Sequence, residues 1–309
     1  MWSSLRRAGR PLLRQVLYPA LEATWAAGFA LAGRYGPRRP VARWQATDGQ
    51  RVGIVAPHPD DETAGCGGVM GRHRAAGHPV AVLVVTDGGA SRAGAGPRAA
   101  RVARRAAEAH AALAVLGTTA LDLAQLPEGA WAAADGERAI ARWLAAQAPT
   151  VVYAPSCIDY HPEHLRVARA LAAVLGRLPP EQQPEVRIYE IFVPLGPRLI
   201  DCLADIGTVR RVKAAALACY TSQAAGLAPV PRRDHYLARY YGLGQAAEGF
   251  CTLTVRQYAA LIAAGDWGGR PSPFRGLRGR PVSDPLAYAT GHAARRRLQR
   301  GLLAAPGPH

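Results

Sequence analysis

"VAPHPDDETAGCGG", residues 55–68, ends an apolar strand with a proline, a histidine, a second proline and three adjacent acids. Three neighbouring carboxylates repel one another. Neither strand nor helix propensity asks for Asp60, Asp61 and Glu62 side by side. A solvated turn capping the next helix would tolerate them. A bound cation would explain them.

The flanking sequence places this turn. "RVGIVAP" (51–57) reads as a buried strand, and residues 64–76 read as a helix closed by Gly77. "PVAVLVVTDG" (79–88) is nearly all apolar, as a parallel strand covered on both faces requires. A helix over 98–116, the strand "ALDLAQL" (120–126), a helix over 133–147 and the strand "TVVYAP" (150–155) follow. A helix to Leu175, the strand "VRIYEIFVP" (186–194) and a helix over 207–219 complete the pattern. This alternation predicts an α/β fold, Rossmann-like and three-layered, around a mostly parallel sheet. Ligands bind beyond the carboxyl ends of such strands. The acidic turn, "TDGGASR" (86–92) and "SCIDYHPEH" (156–164) each follow a strand directly, so all three are predicted to share one edge.

Composition narrows the classes. The five cysteines are scattered and form no C-x-x-C pair, which argues against a disulfide framework or a cysteine-rich zinc site and fits a reducing cytoplasm. The net charge of +16 permits nucleic acid, an anionic membrane or an acidic ligand as partner. No nucleic-acid-binding signature accompanies it, so nucleic acid is not expected. Residues 1–45 read as a helical extension, 46–255 as the main domain and 256–309 as a basic tail whose last ten or so residues are expected to be disordered. Within residues 1–35, Arg6, Arg7, Arg10 and Arg14 precede an apolar segment carrying Tyr18, Trp25 and Phe29. That segment either packs on the body of the protein or makes peripheral contact with a membrane.

A catalytic zinc needs three protein ligands and one open position. His58 and Asp61 can converge from one turn, and His164 can reach them from a neighbouring strand end. Asp60 is then free to take a proton from water, and His161 to meet the far side of a substrate carbonyl. A cation would also offset the repulsion among the acids.

These residues carry a resemblance. "PHPDDE" followed about a hundred residues later by "HPEH" resembles the zinc-dependent deacetylases of the PIG-L and LmbE-like family. The likeness extends to "TDG" (86–88), Arg105 and Glu108 with "LG" (116–117), then Lys213, Tyr220, Ser222, Gln223, Glu248 and Phe250. It covers roughly residues 50–252. The family often has Ala before the first His, where this chain has Pro57, and "HPDH" where this chain has Glu163. The resemblance implies one zinc per chain bound by His58, Asp61 and His164. It implies Asp60 as general base and His161 as acid or oxyanion stabiliser. The reaction implied is hydrolysis of an N-acetyl group on an amino sugar or its conjugate. A zinc amidase acting on a thiol conjugate or a longer acyl amide, and a non-catalytic sugar- or lipid-binding protein, are the rival readings.

Asp87 and Arg92, on a loop at the correct edge, are candidates for holding sugar hydroxyls or a phosphate. Asp159 is a candidate for the substrate side of the site or for orienting an imidazole. Glu62 reads equally as a helix-start acid. His73 and His78 show no partner spacing and read as structural or surface residues. "GLGQAA" (242–247) follows no clear strand and is set aside as a dinucleotide site.

Overall fold

The computed structural model describes residues 17–36, 39–91, 96–118, 120–267, 270–274, 276 and 285–304. Arg92 lies outside them. So do residues 1–16, with all four N-terminal arginines, and residues 305–309.

The apolar runs assemble into one eight-stranded sheet of order β1-β7-β8-β6-β5-β2-β3-β4. Its strands are β1 Ala42–Arg43, β2 Val52–Ala56, β3 Val80–Thr86, β4 Ala120–Leu126, β5 Val151–Ala154, β6 Glu185–Ile188, β7 Cys202–Asp205 and β8 Ala247–Leu253. β2, β3 and β5 are buried along their whole length, as their uninterrupted Val, Ile and Ala content requires. The sheet is mostly parallel. β8 alone runs antiparallel, between β6 and β7.

Helices cover both faces, giving the expected three layers. They are α1 Tyr18–Tyr35, α2 Asp61–Ala75, α3 Arg98–Val115, α4 Ala133–Gln147, α5 Pro162–Leu175, α6 Arg210–Cys219, α7 Ala224–Leu227, α8 Val230–Tyr240, α9 Val255–Ala264, α10 Leu286–Ala289 and α11 His292–Ala304. α2, α3 and α6 pack together on one face, and α4, α5, α9 and α11 on the other.

Two expectations change, the end of one strand and the disorder of the last residues. The strand read over 186–194 stops at Ile188. The buried Glu190 carboxylate accepts the Leu195 amide at 2.7 Å, which folds this stretch back into a turn. The basic tail, 256–309, builds nearly all of α9 and the whole of α10 and α11. Residues 300–304, read as disordered, lie within α11, where Leu302 is buried in the core.

α1 docks on α8. Phe29 stacks on Tyr236 at 4.9 Å, Glu22 pairs with Arg232 at 3.7 Å, and Gly33 lies against the Tyr240 carbonyl where any Cβ would collide. Its outward residues Leu17, Leu31 and Tyr35 are exposed. No helix among the described residues is long and apolar enough to cross a membrane.

A buried polar chain lies away from the three loops. His73 Nδ1 stands 2.9 Å from His78 Nδ1, and His73 Nε2 stands 2.9 Å from the Tyr153 hydroxyl. Both histidines are therefore structural. Burial, with His78 and Arg187 nearby, pushes His73 from 6.5 down to about 3. The unfolded chain takes up this proton near pH 6.5 and the folded chain does not, so stability falls as pH drops below that value. The loss reaches about 2 kcal/mol at pH 5. Urea midpoints at pH 7 and pH 5 check this: His73→Gln should show a correspondingly smaller drop, and an unchanged drop would refute it.

Candidate active site

The site is built on the carboxyl ends of β2, β3, β4 and β5. Its loops are bonded to one another before any ligand is considered. Thr86, the last residue of β3, donates both its amide and its hydroxyl to the Pro57 carbonyl, at 3.0 and 2.7 Å. Asp87 donates its amide to Leu126 O at 2.9 Å and accepts the Glu128 amide at 3.2 Å. The predicted shared edge is therefore one bonded unit.

Each of the three acids of the opening turn points to a different partner. Asp60 Oδ1 pairs with Arg105 Nη2 at 3.0 Å. Asp61 Oδ2 lies 3.1 Å from His58 Nδ1 and 3.3 Å from His164 Nε2. Glu62 Oε1 accepts both the Thr63 hydroxyl at 2.7 Å and the Tyr220 hydroxyl, and its Oε2 accepts the Asp60 amide at 3.0 Å. Divergence relieves the repulsion that the sequence raises. It has a backbone cost: Asp60 sits at φ 134°, a region that side-chain-bearing residues rarely adopt. Arg105 secures this conformation, because it also donates to Pro59 O at 2.6 Å and to Gly88 O at 3.3 Å.

Around Asp61 the donor atoms form a small triangle. Its third edge, His164 Nε2 to His58 Nδ1, is 3.2 Å. Ligand atoms about 2.0–2.1 Å from a tetrahedral zinc lie roughly 3.3 Å apart, so this triangle has the dimensions of a metal face. His161 brings a third imidazole, and one ring nitrogen from each of His58, His161 and His164 lies within 4.8 Å of the others. That set is looser than the triangle containing Asp61.

The outward nitrogens of the two triangle histidines also face acids. His58 Nε2 stands 3.2 Å from Glu128 Oε1, and His164 Nδ1 stands 3.1 Å from Asp159 Oδ2. Both contacts are close enough for ion pairs but bent from hydrogen-bond geometry. Carboxylates behind metal-binding imidazoles hold ring orientation and tautomer, leaving the inner lone pair free. Burial opposes charge on His164, yet Asp61 and Asp159 outweigh it and hold the ring up at about 10. A field that strong for a proton also suits a divalent cation in the same place. The residues present therefore fit a metal ion.

Burial, opposed by Arg105, raises Asp60 to about 7. Burial and the imidazoles of His164 and His58 push His161 down to about 4. His161 Nδ1 is buried without a hydrogen-bond partner among the described residues.

Other candidates are placed differently. Asp87 is enclosed by its own loop: it accepts the Gly89 amide at 2.9 Å and pairs with Arg98 at 2.7 Å. Asp159 backs His164. Glu163 is turned away, accepting the Trp131 indole N–H at 2.7 Å. Glu128 has no counterpart in the sequence reading. Its signal was available: it follows the carboxyl end of β4 just as His58 follows that of β2.

A third set of residues holds α2 from behind. Glu248 of β8 accepts the Gly68 and Val69 amides, each at 2.7 Å, and Arg233 of α8 donates to Ala64 O at 2.7 Å. Lys213, the only lysine in the chain, lies 2.6 Å from Asp234 and 2.7 Å from Glu248. The helix that begins with Asp61 is thus fixed to three distant elements.

Residues 54–175 match the profile of the PIG-L family, described as GlcNAc-PI de-N-acetylase. The matched segment is similar to that family and makes up about two fifths of the chain. No curated protein sequence matches the chain. Among solved structures, the fold is similar to a conserved protein of Thermus thermophilus. That pair has 26% identity and a TM-score of 0.54, over 65% of this chain and 94% of that one. It is similar to the N,N'-diacetylchitobiose deacetylase of Pyrococcus horikoshii, at 17% identity and TM-score 0.59, over 68% and 86% of the two chains. It is also similar to GalB, the 4-carboxy-2-hydroxymuconate hydratase of Pseudomonas putida, at 20% identity and TM-score 0.56, over 66% and 96%. A deacetylase and a hydratase share this architecture, so the fold does not by itself fix the reaction.

Proposed function

We propose that this chain is a zinc-dependent hydrolase that removes an N-acetyl group from an amino sugar or its conjugate. The observation that carries this reading is the triangle of His58, Asp61 and His164 with Asp60 beside it. His58 Nδ1, Asp61 Oδ2 and His164 Nε2 would hold the ion. Two nitrogens and one oxygen suit zinc and leave a position open. Bound there, zinc supplies Lewis acidity toward the amide carbonyl and an attacking water.

The remaining roles belong to the chain. Asp60 accepts the proton of the attacking water. Its value near 7 is that of a base poised for neutral pH, and a cation on Asp61 would pull it lower and keep it ionised. Arg105 holds Asp60 Oδ1, leaving the other carboxylate oxygen for the proton. His161, neutral at pH 7, serves as a hydrogen-bond donor to the developing oxyanion rather than as a cation. Glu128 and Asp159 orient the metal-binding rings, and Asp87 braces the loop at the mouth. Arg92 keeps its candidate role toward the sugar.

Acetate release from a panel of N-acetylated amino sugars, followed by mass spectrometry of the amine product, tests this. Loss of an acetyl mass from at least one glycoside is expected. Turnover confined to longer acyl amides or thiol conjugates, or none with any amide, would overturn the reading.

Peripheral contact with an anionic membrane through residues 1–35 belongs to the same proposal. Arg6, Arg7, Arg10 and Arg14, with the outward Leu17, Leu31 and Tyr35, support it. Salt-sensitive sedimentation with anionic liposomes is expected, and a full-length protein left in the supernatant would refute it.

A further inference from the structure

A cleft of about 850 Å³ opens beside the last turn of α2. Its lining includes Arg72, which follows Asp61 by eleven residues on the same helix, about 16 Å along its axis. The cleft is therefore separate from the candidate active site.

Four arginines line it: Arg43, Arg72, Arg210 and Arg211. Among the described residues, none of the four stands in an ion pair. Arg72 donates to the Asp205 carbonyl, and Arg210 donates to Gly207 O at 3.0 Å. Asp205 is the acid in the lining, and its Oδ1 is already engaged by the Gly207 amide at 2.9 Å.

Arg210 and Arg211 are the first two residues of α6. This helix has no side-chain cap and no acid in its first turn. A helix start carries partial positive charge and favours anions. Two arginines there, with Arg43 and Arg72 in the same lining, set four positive charges against the single carboxylate of Asp205. Trp44 lines the cleft as well, 6% exposed and 5.1 Å under the Arg72 guanidinium.

We propose that this cleft binds a phosphate-bearing anion, a phosphate mono- or diester. Guanidinium forks match phosphate oxygens bidentately, and the uncapped amides of α6 add donors of the same sign. A carboxylate offers two oxygens and one charge to four arginines; a terminal phosphoryl group offers three oxygens and about −1.5 to −2, and a diester matches the carboxylate in both but brings a tetrahedral centre with room for two organic arms. The cleft has room for the organic part of an ester. A soluble phosphate ester and an anionic lipid headgroup present the same chemistry.

Calorimetry on the full-length protein separates these sources. One arm titrates sodium pyrophosphate against sodium chloride of matched ionic strength. The other adds phosphatidylglycerol vesicles in phosphatidylcholine, with pure phosphatidylcholine as control. The variant is Arg43→Ser with Arg211→Ser, two exposed side chains without partners in the described structure, and its melting curve confirms folding. Pyrophosphate binding that chloride does not reproduce, weakened at least tenfold in the variant, is expected. Vesicle binding alone, lost in the variant, assigns the lipid source. Binding in neither arm, or binding undiminished in the variant, overturns the proposal.

Discussion

Asp60→Asn is expected to keep its metal and lose most of its rate, on the order of 10²–10⁴-fold in kcat. The adjacent Asp61→Asn is expected to lose the metal itself. The two residues share a turn but not a partner. Asp60 faces Arg105 at 3.0 Å, whereas Asp61 Oδ2 closes the triangle with His58 and His164 at 3.1 and 3.3 Å. An amide at position 60 removes the proton acceptor and leaves the triangle intact. Folding should survive, because Arg105 retains the Pro59 and Gly88 carbonyls. An amide at position 61 replaces an anionic ligand with a weaker neutral one. Metal content and acetate release, measured on the same preparations, separate the two outcomes. Equal metal loss in both variants would show that the adjacent aspartates do one job, and the assignment of a base would fail.

The second large effect is on stability. Lys213→Met should destabilise the protein by about 3–5 kcal/mol, because it leaves Glu248 buried without its cation and Asp234 with only the Arg233 guanidinium at 3.5 Å. That is a large fraction of the roughly 5–15 kcal/mol that holds a domain folded. Lys213→Arg should also destabilise, despite keeping the charge. The lysine stem is packed against α2, where a Cβ on Gly67 would lie 3.0 Å from Lys213 Cγ. A planar guanidinium cannot replace a compact ammonium between two carboxylates at 2.6 and 2.7 Å. Urea midpoints measure both variants. An arginine variant as stable as the parent would show that charge alone matters there. Glu248 also bonds the Gly68 and Val69 amides, so loss of Lys213 should loosen α2 and be felt at Asp61.

The sequence by itself determined the alternation of strand and helix. It also placed the three polar loops on one edge. The reason is local: β2, β3 and β5 are continuous apolar runs, which only a sheet covered on both faces can bury. A strand end also fixes where the next loop begins. His58, Asp61 and His164 were legible because each sits within a few residues of such an end or at the start of the next helix.

Only the tertiary structure decided which partner each of the three acids takes. Arg105, His164 and Tyr220 lie roughly forty to a hundred and sixty residues away in sequence, and no periodicity encodes such a pairing. The same holds for Glu128 behind His58 and for the lysine-centred network behind α2. The fate of the tail was decided there too. Its last ten or so residues read as disordered from composition alone. In three dimensions Tyr258 and Leu261 of α9 and Leu298 and Leu302 of α11 are buried in the core. Burial against distant neighbours overrides weak local propensity, because each buried apolar side chain contributes about 1.5–3 kcal/mol, more than propensity differences of under about 1 kcal/mol.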